Sequence, residues 1–346
     1  MEGRGIKSYS DFIELPNLFQ AWDEFLVGKR KKHDVHSFAR FLEDNLFSLH
    51  QSLKTKTYKH GAYASFYVHD PKQRHIHKAS VGDRVIHHLL YKYLYAVFDK
   101  TFIYDSYSCR INKGTHKAVR RLQHLTRQVS KNYTRPCWVL KCDIKKFFAS
   151  VDHAILLSLL RKRVNDEDIL ILLAEIIKSF STTPGKGIPL GNLTSQVFAN
   201  MYMNELDHFV KEQLKLKYYI RYADDFLFLA KDKKDLEDFI PPLQTFLTDH
   251  LRLELHPKKV IFRKLAWGID FLGYIVLPHD VILPRAKTRR RVFTKLQQKA
   301  KDMREGKITE ESFNQSLRSY FGYLKHADSY KLSQQLKNDV WFWRFG

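Results

Sequence analysis

The stretch "YYIRYADDFLFLA", Tyr218–Ala230, restricts the fold of this chain more than any other. Two apolar half-runs flank a pair of adjacent aspartates, Asp224 and Asp225. Runs rich in Tyr, Ile, Phe and Leu read as strands. A tight polar centre between two of them reads as a β-hairpin with Asp224 and Asp225 at its turn. An ionised carboxylate in such a run is costly unless it is paired, capped or coordinated. Turn chemistry alone also favours Asp, and that is the ordinary reading of an isolated Asp-Asp pair.

A third carboxylate stands in a similar place. Trp138 to Cys142 reads as a buried strand, and Asp143 ends it. The spacing fits two neighbouring strands of one sheet that bring Asp143, Asp224 and Asp225 to one metal site. Mg²⁺ prefers hard oxygen ligands, few carboxylates and a substrate phosphate to finish its octahedron. Two such ions about 4 Å apart activate a hydroxyl and stabilise a leaving pyrophosphate.

The rest of the chain reads as a mixed α+β pattern without a βαβ repeat. Helix-like segments occupy Asn17–Leu53. "YASFYVHD", Tyr63–Asp70, alternates like a strand, and the basic turn "PKQRHIHK" follows it. "SVGDRVIHHLLYKYLYAVF" has a capping-type start and helical spacing. Val151–Phe180, Ser195–Leu216 and Asp235–His250 read as helices, and "LRLELHPKKVIF" and "GIDFLGYIVLP" as short strands. From Arg285 onward the chain is basic and helix-rich.

Charge narrows the partner. The chain has 59 basic and 37 acidic residues, a net +22, which points to a polyanion. No apolar run approaches the ~18 residues of a membrane span, and the N-terminus lacks the apolar core of a secretory signal. Cys109, Cys137 and Cys142 have no zinc-type spacing and read as reduced thiols. A cytoplasmic protein without a membrane partner is expected.

"YADD" in a hairpin, preceded by "DIKKFF", resembles the active site of reverse transcriptases. Further blocks follow the family in order. "FIYDSYSCRINKGTHKA" resembles the block before the first catalytic strand. "LHPKKVIF" resembles the Lys-bearing segment, and "FLGYIV" the hairpin that grips the primer. The resemblance implies a right-hand polymerase with fingers, a ferredoxin-like palm and a helical thumb. Its segments would be 1–105 fingers, 106–150 palm, 151–190 fingers, 191–280 palm and 281–346 basic thumb.

By the same resemblance, Asp143, Asp224 and Asp225 with the carbonyl of Ile144 would bind two Mg²⁺ ions, for which Mn²⁺ could substitute. Phe148 falls where the family places a steric gate beneath the sugar. Phe147 is the rival position, and a core phenylalanine is the competing reading for either. Lys259 matches the candidate acid for the departing pyrophosphate, against a solvated surface lysine. Lys72 and Arg74, with Lys78 nearby, sit in the finger turn that covers the triphosphate; a generic basic patch is the alternative. Tyr222 of the hairpin would also face the nucleotide. Arg110 and Lys113 lie in a block that contacts template or nucleotide in relatives. Arg289, Arg290 and Arg291 sit on a cationic helix suited to a phosphate backbone or to plain solvation. Template RNA, a cDNA or primer strand and deoxynucleoside triphosphates are the implied partners.

One loop departs from the common family pattern. Most reverse transcriptases carry Gln-Gly, three residues, then Ser-Pro. This chain has Leu190-Gly191-Asn192-Leu193-Thr194-Ser195-Gln196. Leu replaces Gln and Gln196 replaces Pro. The variant resembles the enzymes of diversity-generating retroelements, which copy a template-repeat RNA with errors at adenines and work with a small, basic, oligomeric accessory protein. Leu190 cannot hydrogen-bond near the nucleotide; losing one such contact costs roughly 1–2 kcal/mol of discrimination. Neutral packing variation is the alternative. Gly191 would allow close backbone approach, and Ser195-Gln196 would start the following helix. An enzyme without a maturase or nuclease extension is expected. A retron-type or abortive-infection reverse transcriptase is the runner-up, and a non-catalytic RNA-binding protein a third reading.

Overall fold

The computed structural model describes residues 8–69 and 72–345. Asp70, the last residue of the expected strand, and Pro71, the first of the basic turn, lie outside the described residues. From the start, α1 (Tyr9–Phe12), α2 (Leu15–Leu26), α3 (His33–Ala39) and α4 (Leu42–Lys54) precede a hairpin of β1 (Ala64–Val68) and β2 (Arg74–Lys78). Then come α5 (Val81–Phe98), α6 (Thr115–Val129), β3 (Trp138–Asp143) and the short α7 (Phe147–Ser150). α8 (His153–Arg161), α9 (Glu167–Lys178) and α10 (Leu193–His208) lead to β4 (Tyr219–Tyr222) and β5 (Asp225–Ala230). α11 (Lys233–Glu237), α12 (Ile240–Leu251) and β6 (Ile261–Lys264) follow. β7 (Ile269–Phe271), β8 (Tyr274–Val276) and β9 (Ile282–Pro284) lead into α13 (Ala286–Arg304), α14 (Glu310–Leu324) and α15 (Tyr330–Phe345).

Several expected boundaries move, each for a local reason. Arg74–Lys78 is not part of a turn but a strand, paired antiparallel with β1 from Ala64↔Lys78 to Val68↔Arg74. The expected helix over Val151–Phe180 is two helices. The Asp152 carboxylate accepts from the N–H groups of Ala154 and Ile155, and that of Asp166 from Asp168 and Ile169, so each aspartate starts its own helix. Asp235–His250 likewise splits into α11 and α12, with Pro241 and Pro242 in the first turn of the second, where proline is tolerated. α10 begins at Leu193, not at Ser195, and gives way after His208 to a π-helical turn over Phe209–Gln213.

The chain forms two compact units. The first takes in the chain up to Arg110, Asp143–Lys215 and Pro241–Pro257. In it α5 carries Val85, Ile86, Leu89, Leu90 and Leu94 into a core shared with α2 and α10. The second takes in Ile111–Cys142, Leu216–Ile240 and Lys258–Gly346. It contains a four-stranded sheet in the order β4-β5-β3-β6. Of these four strands the first in chain order, β3, thus lies between the third, β5, and the fourth, β6, and helices link β3 to β4 and β5 to β6. This is the strand order and connectivity of a split βαββαβ, ferredoxin-like layer. At its C-terminal end α13, α14 and α15 enclose a core of Leu296, Ala300, Phe313, Tyr320, Leu324, Leu336 and Val340. Among the described residues no helix is long and apolar enough to cross a membrane.

Candidate active site

The hairpin turn holds one aspartate, not two. β4 and β5 pair with Tyr222 opposite Asp225, so Ala223 and Asp224 form the turn and Asp225 opens β5. Ala223 takes a left-handed backbone (φ +54°), uncommon for a residue with a Cβ. Arg221 supports it from behind. Its side chain is fully buried, and its Nη1 donates to the Ala223 carbonyl at 3.1 Å. A buried guanidinium is costly to desolvate and is kept only where hydrogen bonds compensate. Sequence reading passed over Arg221; its position inside an apolar strand was the available signal.

Lys141 is the second residue that sequence reading missed. Its Nζ lies 3.0 Å from the Asp225 Oδ2 and donates to the Asp270 carbonyl at 3.0 Å, above the Phe271 ring. It alternates with Asp143 along β3, so the two share a face of the strand. Lys141 joins a predicted ligand to the strand β7. Tyr222 is also engaged, since the Thr115 hydroxyl at the start of α6 donates to its hydroxyl at 3.2 Å.

Asp143 ends β3, which neighbours β5 in the sheet. Beyond it the chain bridges to Leu255 through Ile144. The bonds of that bridge run from His256 N–H to the Asp143 carbonyl (2.8 Å) and from Lys145 N–H to the Glu254 carbonyl (2.9 Å). The Ile144 carbonyl is therefore not used by the bridge. Hard carboxylate and carbonyl oxygens are the donor set that Mg²⁺ takes. Among the described residues no three His, Cys, Asp or Glu side chains are grouped closely enough to hold a metal ion by themselves. A divalent ion here would need backbone, water or phosphate oxygens to complete its shell, which is how Mg²⁺ is ordinarily held.

α7 separates the two rival phenylalanines. Phe147 is 2% exposed and belongs to the core, whereas Phe148 is half-buried, with its ring 5.5 Å from that of Phe147. The loop that follows α9 is tied at both ends. Gly187 and Ile188 donate to the carbonyls of Val151 and Phe148, both at 2.8 Å. Further on, His77 N–H of β2 donates to the Leu190 carbonyl at 2.9 Å, and the Asn192 side chain donates to the His77 carbonyl at 2.9 Å. Gly191 (φ +109°) passes so close to β2 that a Cβ would lie 2.7 Å from Ile76 Cγ2. Close backbone approach was expected of Gly191, and here the neighbour is the strand β2. Leu190 is half-buried and Gln196 is exposed in the first turn of α10.

The other predicted residues divide. Arg110, expected to contact template or nucleotide, is engaged inside the protein. Its guanidinium binds the Asp99 carboxylate (2.7 Å) and the carbonyls of Ile103, Ser106 and Asp99, over the Phe102 ring, and so it closes the end of α5. Lys72 and Arg74 are exposed on the β1–β2 hairpin, while Lys78 pairs with Asp34 at 2.8 Å. Lys113 precedes α6 and is half-buried, as is Lys259 in the 3₁₀ turn Pro257–Lys259 before β6. Arg289, Arg290 and Arg291 are exposed on α13, whose opposite face buries Leu296 and Ala300. Cys109, Cys137 and Cys142 are all free thiols.

The family model for reverse transcriptase (RNA-dependent DNA polymerase) matches residues 59–276. This chain belongs to that family. The match spans the β1–β2 hairpin, all four strands of the sheet and β7–β8. Among curated relatives, the chain is 25% identical to Protein YkfC of Escherichia coli, with 56% of this chain and 61% of that protein covered. It is 21% identical to the group II intron-encoded protein LtrA of Lactococcus lactis, over 87% of this chain and 59% of that protein. The chain thus spans about three fifths of the length of these relatives. Among solved structures it is similar to apo telomerase from Candida tropicalis, with a TM-score of 0.51, 11% identity, and coverage of 81% of this chain and 61% of that one. At such identity the likeness speaks for the fold alone, a polymerase fold of fingers, palm and thumb.

Proposed function

We propose that the chain is an RNA-directed DNA polymerase that copies template RNA into cDNA from deoxynucleoside triphosphates. The observation that carries this reading is the hairpin. Asp224 stands at its turn and Asp225 opens β5, next to the strand that Asp143 ends. Asp143, Asp224, Asp225 and the Ile144 carbonyl would hold the divalent ions, Mg²⁺ with Mn²⁺ as a substitute. Bound there, such ions lower the pKa of the attacking hydroxyl and neutralise the leaving pyrophosphate. Around them, Phe148 faces the sugar and Lys259 supplies a proton to the pyrophosphate. Lys72, Arg74, Leu190, Gly191, Gln196 and Tyr222 surround the nucleotide. Lys113 and Arg289–Arg291 follow the nucleic-acid backbone. The fingers, palm and thumb divide as the sequence suggests, at 105, 150, 190 and 280. The test is primer extension on an RNA template with Mg²⁺. Wild-type protein extends and Asp224→Asn does not; equal extension by both defeats the proposal.

The finer reading is the mutagenic role in a diversity-generating retroelement, with a small basic accessory protein, in a cytoplasmic bacterial or phage setting. It is supported by Leu190, an apolar side chain at the loop position where most of the family carries a hydrogen-bonding Gln. Sequencing the cDNA decides it. Errors concentrated at template adenines, reduced by Leu190→Gln, are expected; errors spread evenly over the four bases point to a retron-type or defence enzyme.

A further inference from the structure

We infer that the first unit carries an RNA-backbone-binding groove on the face formed by α7, the Thr182–Gly187 turn and the end of α12. It consists of two cavities of about 510 and 520 Å³ that share Lys186 and Arg252 in their walls. Lys145, Lys146 and Thr183 complete the first, and Lys178 lies in the second.

Four observations identify the ligand class. The first is charge. Lys145 is neutralised by Glu254 at 2.7 Å and Arg252 by Asp152 at 2.7 Å. Lys146, Lys178 and Lys186 form no ion pair among the described residues, which leaves three uncompensated cations facing one groove. The second is construction. Lys186 sits in a tight turn, closed by Thr182 N–H to the Lys186 carbonyl and Lys186 N–H to the Thr183 carbonyl, both at 2.9 Å. At Gly187 (φ +103°) a Cβ would lie 3.0 Å from the Thr182 backbone nitrogen, so this turn is held close. Third, Lys146 (φ +48°) and Arg252 (φ +51°) hold left-handed backbone, uncommon for residues with a Cβ and concentrated at functional sites. Fourth, neither cavity is lined by Phe, Tyr or Trp, and the imidazole in the second, His153, is buried with its Nε2 bonded to the Gly187 carbonyl at 2.7 Å, so no free aromatic face is offered to stack a base. A track of cations without a base platform recognises phosphates in sequence, as in a backbone, and not a free nucleotide.

That the polyanion is RNA rests on the polymerase reading above; the charge of the groove does not. The experiment compares three full-length proteins on an unprimed 30-nucleotide RNA by fluorescence anisotropy across a salt series. They are wild type, Lys146→Gln/Lys178→Gln/Lys186→Gln, and a control of equal charge loss, Lys31→Gln/Lys32→Gln/Lys54→Gln. Removing one cation from a bound phosphate lowers the single-strand salt slope by about 0.7, so the groove variant loses about 2 from its slope. Between 50 and 200 mM salt its affinity then falls roughly 20-fold less than that of wild type. The control keeps the wild-type slope, and extension of a short primer–template duplex is unchanged in both variants. A groove variant with the wild-type slope overturns the inference. So does an equal change in the control, which makes the effect one of net charge, or a matching loss of short-duplex extension, which moves these lysines into the polymerase channel. Absence of extension in wild type would instead strike the polymerase reading, and the salt slopes would still decide for or against the groove.

Discussion

Lys141 Nζ lies 3.0 Å from Asp225 Oδ2 and 3.0 Å from the carbonyl oxygen of Asp270. One ammonium thus neutralises a carboxylate at the start of β5 and fastens β7 to β3. A divalent cation at Asp225 would compete with it for the same oxygen. Lys141→Met should therefore lower the melting temperature of metal-free protein and enlarge the stabilisation by millimolar Mg²⁺ relative to wild type. Thermal melts with and without Mg²⁺ measure both; an unchanged Mg²⁺ increment would show that Lys141 and the ion do not share Asp225.

Arg221 holds the turn that carries Asp224. Replacing it with Met removes the bond to the half-buried Ala223 carbonyl, a loss of about 1 kcal/mol. Urea unfolding should show that loss. Primer extension should fall in Arg221→Met and recover in part in Arg221→Lys, which keeps the charge. Full activity in the Met variant would release Asp224 from any dependence on this support.

Gly191 carries two separable constraints, its positive φ and its contact with Ile76. Gly191→Ala meets both and should destabilise the protein by about 1–3 kcal/mol. Ile76→Ala in the same chain relieves the clash but not the backbone strain, so the double variant should recover only part of the loss. Denaturation midpoints of the four proteins in the cycle test this, and strict additivity would remove the contact from the account.

Phe147 and Phe148 should respond oppositely. Phe147→Ala empties a core position and costs about 3–5 kcal/mol. Phe148→Ala should leave stability closer to wild type and admit ribonucleotides, measured as the ratio of ribonucleotide to deoxynucleotide incorporation. An unaltered ratio would return Phe148 to a packing role.

Acid should weaken the first unit. Burial, then His60, holds the His87 imidazole down at about 3; burial, then Lys29 and Arg84, holds His88 down at about 4. Both lie below the ordinary value of about 6.5, so folding favours their neutral forms. That contribution is complete above about pH 6.5 and is lost as the pH falls towards the folded values. Melting temperature should decline over that interval, and less steeply in His88→Gln; parallel profiles for the two proteins would refute the assignment.

The sequence was most legible where one local rule acted alone. Asp143 at the end of an apolar run, the two half-strands around Asp224 and Asp225, and the cationic face of α13 all follow from periodicity and charge. Helix ends were less legible, because Asp152 and Asp166 break an apolar run by capping, and their carboxylates look like any surface charge until the bonds are seen. In sequence, Arg110 looks like a template or nucleotide contact for the same reason; only the fold brings Asp99 and three carbonyls to it.

By itself, the sequence of this chain determined the alternation of strands and helices, the two short segments that bear the carboxylates, and the surplus of positive charge. These depend on neighbours within a few residues. The tertiary structure alone decided that Lys141 meets Asp225, that Arg221 supports Ala223, that Gly191 lies against Ile76, and that Lys146, Lys186 and Arg252 line one groove. Such relations join residues distant in the chain, and a distance across a sheet or cavity is set by packing, which no local pattern encodes.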